Sequence, residues 1–277
     1  MQYQRTNNAS FDAAAPATLS IVVPAYNEES TLARVVEKLM QVPYLFEIVI
    51  VDDCSTDRTL EIARQLAAKY PQVRALTHPV NRGKTDALRT GFAETKGDIV
   101  IVQDADLEYD PSEMIEVIQP IVNGVADVVF GSRFLVRKAA RVLYFYHYIA
   151  NKSLTFFSNL LTNINLSDVE TGYKAFRGEI IRNMVITSKG FGFEIEVTAK
   201  VAKLGCAIFE VPISYYGRTY EQGKKIGMTD GIAAVWYIVR YNWLTSRAAS
   251  YRAIPSLTPD DSEQTGHAQP TRVTSES

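Results

Sequence analysis

The sequence predicts a doubly wound α/β domain built on an open, mostly parallel β-sheet. Three observations carry that prediction. Short apolar runs rich in β-branched residues recur along the chain, stretches with helical spacing separate them, and a polar or acidic segment follows three of the runs. Continuous apolar strands alternating with amphipathic helices mean strands covered on both faces by crossover helices. Ligands in such sheets bind outside the carboxyl ends of the strands. The segments AYNEE, DDCSTD and QDAD therefore fall along one rim.

The elements follow in order. LSIVVPA (19–25) is the first strand, and ESTLARVVEKLMQV (29–42) a helix with Leu32, Val35, Val36 and Leu39 on one face. FEIVIVDD (46–53) is the second strand, and TDRTLEIARQLAAKY (56–70) a helix capped by Thr56 or Asp57. VRALTH (73–78), GKTDALRTGFAET (83–95) and GDIVIVQDAD (97–106) give strand, helix, strand. PSEMIEVIQPIV (111–122) opens with Pro in its first turn, and ADVVFGSR (126–133) is the fifth strand. Two long aromatic-rich helices follow at 137–163 and 228–244, with a strand-like run, CAIFEVPI, from Cys206. Residues 1–17 read as a loose tail, 18–245 as the folded domain, and 246–277, rich in Ser, Thr, Pro and Asp, as a disordered tail.

Composition excludes several classes. The 277 residues are 47% hydrophobic and 22% charged, enough for a packed core. Lys plus Arg number 29 against 31 Asp plus Glu, so a globally basic nucleic-acid binder is not expected. Two cysteines, Cys54 and Cys206, build neither a disulfide framework nor a four-thiolate zinc site. No run reaches the roughly 18 to 20 apolar residues of a spanning helix. The expectation is a cytoplasmic protein, peripheral on the cytoplasmic face of a membrane.

The rim residues carry the chemistry. Asp104 and Asp106, two residues apart after a strand, project to one side of an extended segment. Hard oxygens of this kind suit Mg²⁺ or Mn²⁺, and the competing reading is an acidic loop that caps the next helix through Asp110. In DDCSTD, Asp52 or Asp53 either contacts a ribose or base, or caps a helix. The first strand lacks G-x-G-x-x-G, which argues against a dinucleotide oxidoreductase, and no P-loop is present. Gly83 and Lys84 at a helix start place N–H groups and a cation where a phosphate could meet them.

VVPAYNEE, VDDCSTD, NRGKTDAL and QDADLEYDP, in this order at successive crossovers, resemble family 2 glycosyltransferases, the inverting enzymes of GT-A fold. The resemblance covers about 18–245. Within the family it is closest to the polyprenyl-phosphate sugar transferases, the dolichol-phosphate mannose and glucose synthases, through GSRF (131–134), DVETGYKAF (168–176) and GRTYEQGKKIG (217–227). The resemblance implies that Pro24, Tyr26 and Glu28 hold the nucleotide, and that Asp53, with Asp52 beside it, contacts base or ribose. It makes Asp104 and Asp106 the D-x-D pair that holds the divalent metal on the sugar-nucleotide diphosphate, with Gln103 preceding them. Arg133, Arg218 and Lys224 become the cations that meet acceptor or donor phosphates, and Asp168 opens the acceptor-side segment, with Glu170 a rival for its role.

The acceptor divides the readings. A sugar hydroxyl needs a general base. A phosphate monoester is largely ionised at neutral pH and needs cations instead. Arg133, Arg137, Lys138, Arg141, Arg218, Lys224 and Lys225 supply them. The leading expectation is transfer of a hexose from GDP-mannose or UDP-glucose to a polyprenyl phosphate, with transfer to a glycan hydroxyl as the alternative and a silent nucleotide-sugar scaffold as a third reading. Asp168 is either a base or an orienting group. The helices at 137–163 and 228–244, with Trp236, Tyr237, Tyr241 and Trp243, either lie in a lipid interface or are core helices. His147 and Asn151, one turn apart, either face the acceptor phosphate or are structural.

Overall fold

A computed structural model of the chain describes residues 17–135, 144–190, 192–217, 228–255 and 257. Seven strands form one sheet: β1 (Leu19–Ala25), β2 (Leu45–Asp52), β3 (Val73–Thr77), β4 (Ile99–Val102), β5 (Val128–Ser132), β6 (Lys174–Arg177) and β7 (Ile208–Pro212). Their order is β3-β2-β1-β4-β6-β5-β7. All neighbours pair in parallel except β6, which runs antiparallel to both β4 and β5.

Period-two alternation sends successive side chains to opposite faces, and both faces are buried. Ile21, Val23, Ile99 and Ile101 meet α1 (Leu32–Leu39), α2 (Thr59–Lys69) and α4 (Met114–Val122) through Val35, Leu39, Ala63, Val117 and Ile118. Val22, Val100, Val102 and Phe176 meet α3 (Lys84–Glu94), α6 (Gly178–Asn183) and α7 (Phe193–Leu204) through Leu88, Phe92, Ile180, Phe193 and Val197. This is the doubly wound sheet that the apolar runs predict.

Several boundaries differ from the sequence reading. α1 starts at Leu32 because residues 27–29 are tied to the neighbouring loop instead: Asn27 N donates to Ser55 Oγ at 3.0 Å, and Glu28 N to Thr59 Oγ1 at 2.8 Å. At α2, Asp57 Oδ1 accepts from Thr59 N at 2.9 Å, whereas Thr56 N turns away to Asn27 Oδ1 at 2.8 Å. The first turn at Pro111–Glu113 is a 3-10 helix.

The folded chain also continues past residue 245. α8 (Met228–Trp243) leads into α9 (Arg247–Ser250), and Tyr251 is buried with its hydroxyl donating to Lys200 O at 3.0 Å. Main-chain bonds from Val185 N to Ser250 O and from Arg252 N to Asn183 O fasten this segment to the domain. The expected disordered tail therefore cannot begin at Ser246.

α5 (Phe145–Thr162) and α8 turn an inner stripe to the domain, where Leu154, Leu161 and Tyr237 pack on Val169, Ile195 and Ile238. On α5 the fully buried positions are polar, Thr155 and Ser158, while Phe145, Tyr146, Phe156 and Leu160 are exposed. Trp236 and Trp243 are exposed on α8. No helix among the described residues is long and apolar enough to cross a membrane.

Candidate active site

The carboxyl ends of β1, β2, β4 and β5, the turn into β6 and the first turns of α3 and α7 meet at one rim. At its first corner, Pro24 is buried in register with Val51, Tyr26 is exposed, and Glu28 Oε2 accepts from Thr31 Oγ1 at 2.6 Å. Asn27 and Cys54 turn the two loops sharply with φ of 56° and 59°.

Asp52, the last residue of β2, and Asp53 just after it are held differently. Asp53 is saturated by the protein: its Oδ1 meets His78 Nδ1 at 2.7 Å and Arg82 N at 2.9 Å, and its Oδ2 accepts from Gly83 N at 2.6 Å. It pins the N-terminus of α3, where Gly83 has φ of 87°, a left-handed conformation that suits glycine. Asp52 accepts from Ser55 N and Thr77 Oγ1 through Oδ2, while its buried Oδ1 has no partner. Both oxygens of Asp53 are thus engaged by the protein, whereas Asp52 keeps one buried acceptor oxygen without a donor.

Asp104 is 2.9 Å through Oδ1 and 3.0 Å through Oδ2 from Lys84 Nζ, and the same ammonium lies 3.5 Å from Glu194 Oε1 in the first turn of α7. Burial opposes the charge on Lys84, but Asp104 and Glu194 hold its pKa above the ordinary range. Gly172 permits this packing, because a Cβ there would sit 2.8 Å from Asp104 Oδ2 and 3.4 Å from Lys84 Nζ. Asp106 Oδ1 accepts from Glu108 N at 3.0 Å, across a turn whose Leu107 has φ of 62°. Gln103 is buried, donates to Asp104 O, and leaves its Oε1 without a partner.

Just beyond β5, Asp168 is fully buried and grips Arg133 at both oxygens: Oδ2 to Nε at 2.6 Å and Oδ1 to Nη2 at 2.7 Å, with Arg133 N at 3.1 Å. Burial would raise the carboxyl, but the Arg133 charge and hydrogen bonds hold it below the usual range. The Arg133 guanidinium also lies 5.2 Å from the Tyr215 ring centroid. Both carboxylate oxygens of Asp168 are thus taken up by Arg133. Arg218 and Lys224, like Arg137, Lys138, Arg141 and Lys225, lie outside the described residues. The His147 ring lies 5.9 Å from that of Tyr144 at an interplanar angle of 56°, and Lys152 on the same helix donates to Ser167 O.

Three groups here escape the sequence reading. Glu194 is 4% exposed, Lys174 is fully buried, and Tyr109 stacks on Tyr173 while its hydroxyl accepts from Gly172 N. Burial, with Glu194 nearby, pushes Glu170 up to about 7. Burial brings Lys174 down to about 8. The sign for stability follows. Glu170 has an ordinary value of 4.5, so folding is favoured below that pH and loses stability as pH rises through 7. Glu170→Gln is expected to stabilise the chain by about 3 kcal/mol at pH 8 and by nothing measurable at pH 4. Urea unfolding at the two pH values checks this, and an equal effect at both would refute it.

Among the described residues, the buried side-chain oxygens without a partner are Asp52 Oδ1, Gln103 Oε1, Glu170 Oε1, Glu194 Oε2 and Ser188 Oγ. Four of the five are carboxylate or amide acceptors at this rim. Such oxygens are costly unless a ligand brings donors or a cation. The arrangement suits a ligand rich in hydroxyls and N–H groups.

Comparison with known proteins agrees with this geometry. Residues 20–185 match the family model described as glycosyl transferase family 2. A dolichol-phosphate mannosyltransferase of Pyrococcus furiosus is 32% identical over 219 residues, 76% of this chain and 60% of that protein. The chain thus spans less than two thirds of that relative's length. An undecaprenyl-phosphate mannosyltransferase of Micrococcus luteus is 29% identical over 77% of this chain and 90% of its own. Among solved structures, a glucosyl-3-phosphoglycerate synthase from Mycobacterium tuberculosis in complex with uridine diphosphate superposes with a TM-score of 0.64 at 22% identity, covering 87% of this chain and 86% of the other. That likeness shows the fold, the GT-A architecture of an open, mostly parallel sheet flanked by helices. With the matched model spanning more than half its length, the chain belongs to glycosyl transferase family 2.

Proposed function

We propose that the chain moves a hexose, from GDP-mannose or UDP-glucose, to a polyprenyl phosphate at a membrane surface, with inversion at the anomeric carbon. The observation that carries this reading is the Arg133–Asp168 pair. It would present a fixed guanidinium to the acceptor, and both oxygens of Asp168 are engaged by Arg133. A phosphate acceptor asks for that combination, because it arrives ionised and must be held by cations. The exposed aromatic faces of α5 and α8 support a lipid acceptor, since aromatic side chains over a polar-buried helix suit a membrane interface. The names of the two mannosyltransferase relatives point the same way.

The remaining roles follow from the rim. Asp52 Oδ1 accepts from the base or ribose, and the loops after β1 and β2 wall the nucleotide. Asp104 and Asp106 would hold Mg²⁺ or Mn²⁺, and the donor set fits. Carboxylate oxygens are hard ligands, and Asp104 already takes a cation, Lys84, at both oxygens. Such an ion supplies charge neutralisation for the leaving diphosphate. Among the described residues no cluster of three or more His, Cys, Asp or Glu could hold a metal. Diphosphate oxygens and water would therefore complete the coordination. Lys84 adds a positive charge beside the same diphosphate.

A second reading, transfer to a glycan hydroxyl, has one observation in its favour. Glu170, at about 7, is poised to act as a base near neutral pH. Offering radiolabelled GDP-mannose, UDP-glucose and UDP-N-acetylglucosamine with short polyprenyl phosphate and Mn²⁺ separates the two. Label in the organic phase from one donor, abolished by EDTA, is the expected result. Label confined to a water-soluble glycan would sink the lipid-phosphate reading.

A further inference from the structure

Two of the rim's unpaired oxygens belong to carboxylates that the nucleotide and acceptor assignments leave unused. Glu194 is 4% exposed, and its Oε1 faces Lys84 Nζ while its Oε2 has no partner. Glu170 Oε1 is buried and likewise unpaired. The segment that carries Glu170 is held rigidly: Lys174 Nζ donates to Val169 O at 2.9 Å and Thr171 O at 2.6 Å, on either side of Glu170. Gly172 brings that same segment against Asp104 and Lys84. Glu194 thus sits against Lys84, the cation read above as facing the diphosphate, and its charge acts on Glu170.

A buried acceptor with no donor weakens the free protein and is retained where a ligand supplies the donor. The group attached to the diphosphate in this position is the sugar, and its hydroxyls are donors. We propose that Glu170 Oε1 and Glu194 Oε2 accept hydrogen bonds from hydroxyls of the transferred sugar, and that they select a neutral hexose over a uronic acid. Lys84 and Arg133 are already paired with Asp104 and Asp168, so a uronate would add a carboxylate beside Glu170 and Glu194 with no free partner from that pair of cations, a repulsion that rejects the wrong donor. This inference rests on reading the chain as a nucleotide-sugar transferase.

Titration calorimetry with Mn²⁺ and no acceptor tests it, because a base acting on an acceptor hydroxyl contributes nothing to donor affinity. UDP is compared with UDP-glucose and UDP-glucuronate, and GDP with GDP-mannose and GDP-mannuronate. In the set that binds, the neutral nucleotide sugar is expected to bind about tenfold tighter than its diphosphate, and the uronate more weakly than the neutral sugar. Glu170→Ala is expected to remove about tenfold from nucleotide-sugar affinity and leave diphosphate affinity unchanged. Glu170→Gln, which keeps an acceptor oxygen, loses less. Equal losses for diphosphate and nucleotide sugar, or no loss for either, overturn the inference, as does a uronate that binds as well as the hexose. If neither diphosphate binds, the proposed function falls and takes this inference with it.

Discussion

Asp168→Ala is expected to cost about 3–5 kcal/mol of folding stability and to abolish sugar transfer. The cost comes from what is left behind. Arg133 has a side chain only 10% exposed, and both its Nε and Nη2 bond to Asp168. Removing the carboxylate leaves a guanidinium with little water and no counter-charge. Loss of activity in that variant would not by itself separate folding from chemistry. The double replacement Arg133→Met with Asp168→Leu does so, because apolar residues of similar volume can replace a buried ion pair with little or no loss of stability. The double variant is expected to recover most of the unfolding temperature and none of the transferase activity. Donor binding measured without acceptor should persist in it, since the pair lies on the acceptor side. A double variant that still glycosylates a lipid phosphate would remove Arg133 from the acceptor site. Asp168→Asn adds a separate check on the base role. If Asp168 only orients Arg133, the pH profile of any residual activity keeps its shape.

The alternation that makes the sheet is legible in the sequence because buried parallel strands impose it on every residue. Ile21, Val22 and Val23 must all be apolar when both faces are covered. β6 is hidden for the opposite reason. Four residues long and entered from DVETG, it carries a buried Lys174 and has too little apolar length to register as a strand. Asp52 and Asp53 show the limit at the site. Adjacent identical residues carry no sequence sign of which is saturated, since Asp53 is satisfied by His78, Arg82 and Gly83, all at least 25 residues away. Glu194 looks in sequence like an acid favoured in a first helical turn. Only the fold brings Lys84 and Asp104 to it. α7 itself had a readable ending, with Gly205 left-handed at its C-cap after Leu204.

Asp106→Asn is expected to lower turnover by about 10³-fold while leaving the unfolding temperature unchanged. The hydrogen bond that closes the loop survives the change. Glu108 N donates to Asp106 Oδ1, and an asparagine side-chain oxygen accepts equally well. What the variant loses is a negative charge, which a hydrogen bond in the loop does not need and a divalent cation does. Asp104→Asn gives the contrast. Its carboxylate is the closer of two partners of Lys84, so its loss is expected to cost about 1–2 kcal/mol of stability as well as activity. Mn²⁺ binding measured by electron paramagnetic resonance in the presence of nucleoside diphosphate should weaken in both variants. The two therefore separate by unfolding temperature, falling for Asp104→Asn alone, and agree in metal affinity. Wild-type turnover by Asp106→Asn would take Asp106 out of the active site. Unchanged Mn²⁺ affinity in both would leave Asp104 as an anchor for Lys84, with charge stabilisation at the diphosphate resting on the lysine.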